Sequence, residues 1–341
     1  MADISTINRR VTLASYPQGE MRPGDFRMEE GATPQPDSGE FLVRNLWVSV
    51  DPMLRIRIDA RPMRGTLAPL PLGSVIPGAA IGEVVASAHP DYAVGALLEG
   101  RFGWQDYALS RGEGVNRIDP GIRDPQLALG PLGLPGFSAY VGLHLAGGVK
   151  PGQTVVISGA AGAVGSVAGP LARAAGAMVI GIARGEAKRR YLIEELGYHA
   201  VIDRSAEPVP DALARLAPDG VDLYFDNVGG PILLNVARRL KRRGQVIICG
   251  LMAHYAGTDT GQSSDYMELL DIIMSQSATI RAFANVEHED LRPQFYRDVA
   301  KMIDEGALSC RMHALNGLEA APAALMTLFG EGVTGKLVVR I

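Results

Sequence analysis

The chain has 341 residues, of which 47% are hydrophobic and 21% charged, and its formal net charge is −4 at pH 7. This length predicts one large or two medium domains of a soluble globular protein, and the slight negative charge gives no reason to expect nucleic acid or an anionic membrane as partner. Two cysteines cannot form a disulfide framework, which favours a reducing, cytoplasmic location.

The N-terminal part, residues 1 to 127, is rich in turn dipeptides and short strand-like runs such as Phe41–Val50 and Ile81–Val85. This texture predicts an irregular, mostly β domain. Met1–Arg10 has no apolar core and so predicts no signal peptide. No segment approaches the ~18 apolar residues of a membrane span.

Residues from 128 to about 300 alternate strand-like with helix-like segments, which predicts an α/β domain with a doubly wound parallel sheet. A final strand, Gly335–Ile341, is expected to join the first domain, so the predicted domains are 1–127 with 306–341, and 128–305. The predicted strands are Thr154–Ser158, Met178–Ala183, Ala200–Ile202, Val221–Phe225, Gln245–Cys249 and Thr279–Phe283, and the predicted helices include Glu186–Leu196, Pro231–Arg242 and Leu291–Glu305.

The most informative segment is Val155–Ser166 (VVISGAAGAVGS), where an apolar run enters a turn with Gly159, Gly162 and Gly165 and a small-residue helix follows. A dinucleotide-binding βαβ unit needs strand, glycine turn and helix in this order. Glycines let the backbone approach a pyrophosphate closely, and the N–H groups at the helix start face the anion. A tight turn in another kind of α/β domain is the alternative.

A local conflict lies inside this helix. Pro170 stands five residues after Gly165, and proline in a helix interior removes a hydrogen bond at a cost of about 3 kcal/mol. The sequence therefore predicts that the helix is either kinked or begins later than Gly165.

The tip of the second strand indicates which dinucleotide is bound. Folds selective for NAD place Asp or Glu there to bind the ribose 2′-hydroxyl. Here Arg184 stands at the tip, Lys188 follows at the start of the next helix, and Arg204 follows the third strand. Cations suit a 2′-phosphate, so the pattern favours NADP(H). A solvated basic helix face is the alternative, and Glu186 keeps ribose binding open.

The sequence indicates neither a zinc site nor a nucleophile. Cys249 and Cys310 lie far apart and the six histidines are scattered, whereas zinc needs clustered ligands. No G-x-S-x-G elbow is present, and Cys249, at the end of a predicted buried strand, is expected to be a small core residue. The chemistry is therefore expected to come from the cofactor.

These residues belong to a series of motifs that resembles the zinc-independent medium-chain dehydrogenase/reductase family. The likeness is to the branch that holds leukotriene B4 12-hydroxydehydrogenase/prostaglandin reductase and the bacterial curcumin reductases, and it covers nearly the whole chain. The motifs are Val50–Arg55 (VDPMLR), Gly103–Tyr107 (GWQDY), Gly133–Leu143 (GLPGFSAYVGL), Ala160–Ser166 (AAGAVGS), Phe225–Gly230 (FDNVGG), Ile248–Tyr255 (ICGLMAHY) and Gly335–Lys336.

The resemblance implies a GroES-like β domain beside a Rossmann domain, a homodimer, and NADPH-dependent reduction of the carbon–carbon double bond of α,β-unsaturated ketones and aldehydes. It implies that Lys188 meets the 2′-phosphate and that Asn227 and Tyr255 lie near the cofactor. The cofactor residues implied by pattern and resemblance together are Gly162, Ala163, Val164, Gly165, Arg184, Lys188, Arg204, Asn227, Cys249, Gly250, Tyr255, Phe283, Ala284 and Asn285.

Three positions depart from the family's pattern. Met53 replaces a tyrosine, which implies an altered substrate pocket. Arg204 replaces a tyrosine that often helps to hold the 2′-phosphate, and the arginine should still do so. Val333 replaces an asparagine, which implies the loss of one contact to the nicotinamide ribose.

The expected chemistry is hydride transfer to the β-carbon of the substrate while negative charge develops on its carbonyl oxygen. A donor aimed at that oxygen stabilises the transition state more than the ground state. Tyr255 is the candidate donor, the α-carbon proton comes from Tyr255 or from water, and packing of the ring alone is the alternative role for Tyr255. The candidate residues of an apolar substrate pocket are Met53, Tyr92, Tyr140, Met252 and Phe283.

Two other functions stay open at this point. One is an NADPH:quinone oxidoreductase on the same fold, which differs only in the acceptor. The other is a noncatalytic NADPH-binding or nucleic-acid-binding relative. The retained Tyr255 and the lack of a basic stripe with interleaved aromatic residues argue against the noncatalytic relative.

Overall fold

The computed structural model describes residues 4–60, 68–122, 124–255, 263–330 and 333–341. The chain divides into two compact units. The first unit consists of Met1–Leu129, Met312–Gly332 and Leu337–Ile341, and the second of Gly130–Arg311 and Val333–Lys336. The sequence places the boundaries at 127/128 and 305/306, whereas residues 306–311 and 333–336 pack with the second unit.

The N-terminal part of the first unit is mostly β, as its turn-rich sequence predicts. The strand predicted at Phe41–Val50 extends over Phe41–Ser49, and the one predicted at Ile81–Val85 extends over Ala80–Ser87. The elements are β1 (Ile7–Leu13), β2 (Phe26–Ala32), β3 (Phe41–Ser49), α1 (Leu54–Arg57), β4 (Ala80–Ser87), β5 (Leu97–Gly100), β6 (Tyr107–Ser110) and β7 (Asn116–Arg117).

The second unit alternates helices and strands along the chain. Its helices are α2 (Leu134–Leu145), α3 (Gly165–Ala174), α4 (Glu186–Arg190), α5 (Val209–Leu216), α6 (Gly230–Ala237), α7 (Met252–Tyr255), α8 (Ser263–Gln276) and α9 (Arg292–Asp304). Its strands are β8 (Thr154–Ser158), β9 (Met178–Ala183), β10 (Ala200–Asp203), β11 (Val221–Asp226), β12 (Leu240–Ile248) and β13 (Thr279–Ala282).

The C-terminal segment returns to the first unit with β14 (Met312–Asn316), α10 (Ala321–Phe329) and β15 (Lys336–Arg340). Strand β15 pairs antiparallel with β3, with Val338 opposite Ser49, and Leu337–Ile341 belong to the first unit. The sheet order is β14-β15-β3-β4-β5-β7, and β6 also pairs with β3. Ile81 of β4 and Val338 of β15 share one buried cluster of this unit.

The six strands of the second unit form one sheet in the order β10-β9-β8-β11-β12-β13. Every neighbouring pair is parallel, so the predicted parallel sheet is confirmed. In order of appearance along the chain this is 3-2-1-4-5-6, the Rossmann order, whose direction reverses between β8 and β11. The core takes one buried residue from each of five neighbouring strands, namely Val156, Ile180, Ile202, Tyr224 and Val246.

The helix predicted over Pro231–Arg242 is wrong in its second half. Helix α6 ends at Ala237, and β12 begins at Leu240 rather than at the predicted Gln245. Leu240 is buried opposite Val221, and the pairing then shifts so that Leu223 faces Gln245. The basic run around Leu240 favours a helix by local propensity, but burial of the leucine against β11 outweighs that preference.

Pro170 lies inside α3, which begins at Gly165, so of the two predicted alternatives, a kink or a later start, the later start is wrong. The small residues around the proline let the helix pack closely on its neighbours. A Cβ at Gly169 would overlap the ring of Tyr198, and the Tyr198 hydroxyl donates to the Gly165 carbonyl oxygen at 2.7 Å. Burial of Tyr198 therefore fixes the position of the first turn of α3. Among the described residues, no helix is long and apolar enough to cross a membrane.

Candidate cofactor-binding site

The glycine turn after β8 needs its glycines for stereochemical reasons. Gly159 has φ +56°, in the left-handed region, and the Gly162 N–H donates to the Gly159 carbonyl oxygen at 3.0 Å. A Cβ at Gly165 would overlap the Ala160 carbonyl. The tight turn from β8 into α3 therefore requires glycine at positions 159 and 165.

The start of α3 presents backbone donors. The Ser166 N–H donates to the Gly162 carbonyl oxygen and the Ala168 N–H to the Val164 carbonyl oxygen, both at 2.9 Å. A parallel bridge pairs Gly162 with Gly335, and the Gly335 N–H donates to the Ala161 carbonyl oxygen at 2.7 Å, so the turn is held by the segment before β15. The N-terminus of the ten-residue helix α3 offers the first-turn N–H groups that an anion such as a pyrophosphate needs.

Basic side chains follow the next two strands. Arg184 is the first residue after β9 and Arg204 the first after β10, and the strand ends Ala183 and Asp203 face each other in the sheet. The Arg204 N–H donates to the Ala183 carbonyl oxygen at 3.1 Å, so the two arginines leave the sheet side by side. Lys188 is the third residue of α4, which follows Arg184.

Glu186, the residue that keeps ribose binding open, is paired with an arginine of its own helix. The Arg189 guanidinium donates to both Glu186 carboxylate oxygens at 2.7 and 3.0 Å. This hydrogen bonding lowers the pKa of Glu186. The acid at the strand tip therefore already has a cationic partner.

A buried carboxylate lies at the end of β11, where the sheet order reverses. Asp226 is fully buried, and its Oδ1 accepts from the Ser158 hydroxyl and the Tyr224 hydroxyl, both at 2.7 Å. The same oxygen accepts from the backbone N–H groups of Val228 at 2.9 Å and Gly229 at 3.0 Å. The Asp226 carboxylate therefore fixes the turn from Asn227 to Gly229, which directly follows β11.

This network also orients Asn227. Its backbone N–H donates to the Ser158 hydroxyl oxygen at 2.9 Å, and its side-chain Nδ2 donates to the Ser158 carbonyl oxygen at 2.8 Å. A Cβ at Gly159 would lie 3.3 Å from the Asn227 Cβ. The amide of Asn227 is therefore fixed beside the glycine turn.

Three predicted cofactor residues, Cys249, Gly250 and Tyr255, follow β12. The Cys249 and Gly250 N–H groups donate to the Asp226 carbonyl oxygen at 2.8 and 3.1 Å, so this loop is tied to β11. Tyr255 ends α7 and is half-buried. Burial raises the pKa of Tyr255, and a hydrogen bond from the Leu251 backbone partly opposes that rise. The phenol is therefore protonated at neutral pH.

The segment after β13 is the last of the loops that follow the strands of this sheet. Phe283, Ala284 and Asn285 follow the strand directly, and the Asn285 Nδ2 donates to the Ser138 hydroxyl oxygen of α2 at 2.7 Å. Within the described chain, the buried Asn285 Oδ1 has no hydrogen-bond partner. A buried amide oxygen of this kind is available to a ligand that brings a donor.

The predicted substrate residues are divided between the two units. Met53 is 48% exposed in the first unit. Tyr92, in the same unit, stacks on Phe41 with ring centroids 4.3 Å apart. In the second unit, the Tyr140 hydroxyl donates to Asp298 at 2.7 Å, and Met252 begins α7. Their role in a pocket stays a prediction.

Three structurally central residues, Ser158, Asp203 and Asp226, were not identified from the sequence. Each is the last residue of its strand, and each accepts or donates hydrogen bonds in the turns that follow. A polar residue that ends an apolar strand, directly before a glycine or basic turn, is the signal that would have found them. No group of three or more His, Cys, Asp or Glu side chains within the described ranges is placed to hold a metal ion.

Two family models match the chain. One, described as the N-terminal domain of oxidoreductase, matches residues 9–118. The other, described as zinc-binding dehydrogenase, matches residues 163–303. The two matches fall in the first and second units respectively.

Relatives resemble the chain over nearly its full length. The NADPH-dependent curcumin reductase of Escherichia coli is 34% identical over 98% of this chain and 97% of its own length. Prostaglandin reductase 1 of Mus musculus is 31% identical over 96% of this chain and 98% of its own length. A crystal structure of CurA from Vibrio vulnificus in complex with NADPH has 33% identity and a TM-score of 0.92, and the match covers 97% of this chain and 98% of that one.

The two cysteines should be unreactive at neutral pH. Both cysteines are half-buried, so the prediction of Cys249 as a core residue is wrong, because it lies just beyond the end of β12. Loss of hydration still raises the pKa of Cys249 to about 12, with the Asp226 charge adding to the rise, and raises the pKa of Cys310 to about 11. Because the thiolate is the nucleophile, native protein treated with iodoacetamide at pH 7.5 should keep its unmodified mass. Protein denatured in guanidinium should gain two adducts, and an adduct on the native protein would contradict this account of the cysteines.

Proposed function

The chain belongs to the zinc-independent enone-reductase branch of the medium-chain dehydrogenase/reductase family, and we propose that it reduces the carbon–carbon double bond of α,β-unsaturated ketones and aldehydes with NADPH. One relative is named an NADPH-dependent reductase and a related structure holds NADPH. The chain is accordingly an NADP-dependent oxidoreductase.

One observation carries the proposal. Every predicted cofactor residue follows the carboxyl end of a strand in the same six-stranded parallel sheet. Ligands of such sheets bind outside these ends, where the strand order reverses. The reversal lies between β8 and β11, and the glycine turn and Asn227 flank it.

The residues at the carboxyl ends of these strands fit NADPH. The glycine turn and the N-terminus of α3, which begins at Gly165, suit the pyrophosphate. The basic residues Arg184, Lys188 and Arg204 suit the 2′-phosphate, since phosphate is bound best by charged donors. When bound, NADPH supplies the hydride.

The chain's part in the reaction is to stabilise charge and manage a proton. As the β-carbon of the substrate accepts hydride, negative charge develops on the carbonyl oxygen, giving an enolate. Tyr255 is the proposed hydrogen-bond donor to that oxygen: burial raises the pKa of its phenol, so the phenol keeps its proton at neutral pH. The α-carbon then takes a proton from Tyr255 or from water, which completes the saturated carbonyl product.

The substrate class is tested by steady-state NADPH oxidation with a 2-alkenal, a cyclic enone and a benzoquinone. We expect turnover of the alkenal and the enone, with products two mass units heavier that keep the carbonyl group. Turnover of the quinone alone would replace the proposal with a quinone oxidoreductase. Tight NADPH binding without any turnover would indicate a noncatalytic protein.

Tyr255→Phe removes the proposed donor and keeps the ring. The kcat on an enone should fall by ~10²-fold with little change in NADPH affinity, since the donor acts on charge that develops in the transition state. Tyr16→Phe is the control, because the Tyr16 hydroxyl bonds to the Leu70 carbonyl oxygen within the first unit. An unchanged kcat for Tyr255→Phe would leave the residue with a packing role only.

Arg184 and Lys188 are expected to give the protein a preference for NADPH over NADH. Replacing Arg184 and Lys188 together by Ala should raise the KM for NADPH much more than the KM for NADH, because only NADPH carries the 2′-phosphate. Arg190→Ala is the matched control, since Arg190 is exposed on α4 and stands two residues from Lys188, on another side of the helix. Equal effects on both coenzymes would contradict the assignment.

We also propose that the protein is a cytoplasmic homodimer, joined through β13, an outermost strand of the second unit's sheet. Strand β13 is at the end of the sheet, and all four of its residues are exposed. Exposed apolar side chains lie on it and on the preceding helix α8, namely Tyr266, Met267, Leu270, Met274 and Ile280. A free strand edge with apolar neighbours is suited to pairing with a second copy.

Ile280→Asp should disrupt that dimer by placing a charge in the apolar edge. Wild-type protein should have twice the 36.2 kDa mass of the chain in sedimentation or light scattering, and the variant should have the single-chain mass. Met178→Asp is a matched control, because Met178 has the same 39% exposure as Ile280 but begins β9. A wild-type monomer, or a variant that stays dimeric, would refute this interface.

A further inference from the structure

One carboxylate oxygen connects the two turns that carry the basic residues. Asp203 ends β10, and its Oδ1 accepts from the Gly185 N–H at 2.9 Å, in the turn after β9. The same oxygen accepts from the backbone N–H of Ser205 at 2.9 Å and from the Ser205 hydroxyl at 2.6 Å, in the turn after β10. The side chain therefore acts as a cross-link between neighbouring loops.

The two fastened turns are the ones that aim the cations. Gly185 stands between Arg184 and α4, which bears Lys188, and it has φ +90°, a conformation that favours glycine. Ser205 directly follows Arg204. Fixing the positions of Gly185 and Ser205 on one oxygen thus fixes where all three basic side chains leave the backbone.

The negative charge of Asp203 would repel a nearby phosphate if the carboxylate faced it. Its charge is directed at backbone donors instead, and the Gly185 and Ser205 hydrogen bonds lower the pKa of Asp203. An acid kept ionised by three donors on one oxygen is already solvated by the protein. It therefore contributes geometry to the basic site more than repulsion.

We propose that Asp203 is a positioning residue that sets coenzyme specificity, by holding Arg184, Lys188 and Arg204 as one site for a ribose 2′-phosphate. This inference rests on the proposed NADPH dependence and deepens it. The hydrogen-bond acceptor is what the site needs from Asp203, and the negative charge is not. Asparagine, which keeps an oxygen at the same place, should therefore substitute for it, whereas alanine should not.

The test measures binding by calorimetry with two probes, 2′,5′-ADP and 5′-AMP, which differ by the 2′-phosphate. Asp203→Ala should weaken 2′,5′-ADP by about tenfold, the equivalent of one or two hydrogen bonds, and leave 5′-AMP within about twofold. Asp203→Asn should bind 2′,5′-ADP as wild type does or more tightly, since the acceptor stays and a negative charge near the phosphate is gone.

Several outcomes would overturn the inference. An unchanged or tighter 2′,5′-ADP affinity for Asp203→Ala would show that the cross-link is not needed. Equal losses on both probes would indicate a merely structural role, and a loss for Asp203→Asn as large as for Asp203→Ala would show that charge, not acceptance, matters. Ser205→Ala, which removes one of the three donors, should weaken 2′,5′-ADP alone, and it keeps the test available if the alanine variant at position 203 does not fold.

These binding measurements need no turnover, so they stand apart from the substrate proposal. If no enone or enal is reduced but wild-type protein prefers 2′,5′-ADP, the substrate class fails and the role of Asp203 is still decided by its variants. If wild-type protein binds 2′,5′-ADP no better than 5′-AMP, the NADPH assignment itself fails and the inference falls with it.

Discussion

Parallel pairing of six strands is the constraint on which the site depends. Because every strand of the second unit's sheet runs in the same direction, every loop that follows a strand emerges at one edge. The loops that follow the six strands, which span more than 120 positions from Gly162 to Asn285, therefore lie at the same end of the sheet. The reversal of strand order between β8 and β11 opens the crevice there, and the glycine turn and Asn227 flank it.

Within that frame, polar residues at the strand ends hold the loops by accepting backbone hydrogen bonds. Asp226 fastens the turn after β11 through Val228 and Gly229, and Asp203 fastens the turns after β9 and β10. Backbone N–H groups at loops must find partners, and a carboxylate that satisfies several of them makes the loop rigid. Preorganised loops let a site bind a cofactor without first ordering its own residues.

The sequence predicts much of the second unit because its signals are local. The strands Thr154–Ser158 and Met178–Ala183 are correct at both ends, since each is a short apolar run between turn residues. The start of β12 was missed because burial of Leu240 against β11 is a tertiary effect. Asp203 and Asp226 were missed because their importance lies in hydrogen bonds to residues that only the fold brings near, such as Gly185 and Ser158. The placement of Tyr255 and Met53 at a substrate rests on resemblance, and no local pattern predicts it.

The proposed reaction is hydride transfer to the β-carbon of a conjugated carbonyl compound from NADPH bound at the carboxyl ends of these strands. The most direct measurement uses NADPH deuterated at nicotinamide C4, prepared as each of the two epimers, with a cyclic enone in ordinary water and NMR analysis of the product. The account predicts deuterium on the β-carbon from one epimer and an intact carbonyl group. Deuterium on the carbonyl carbon, as in an alcohol product, would contradict it.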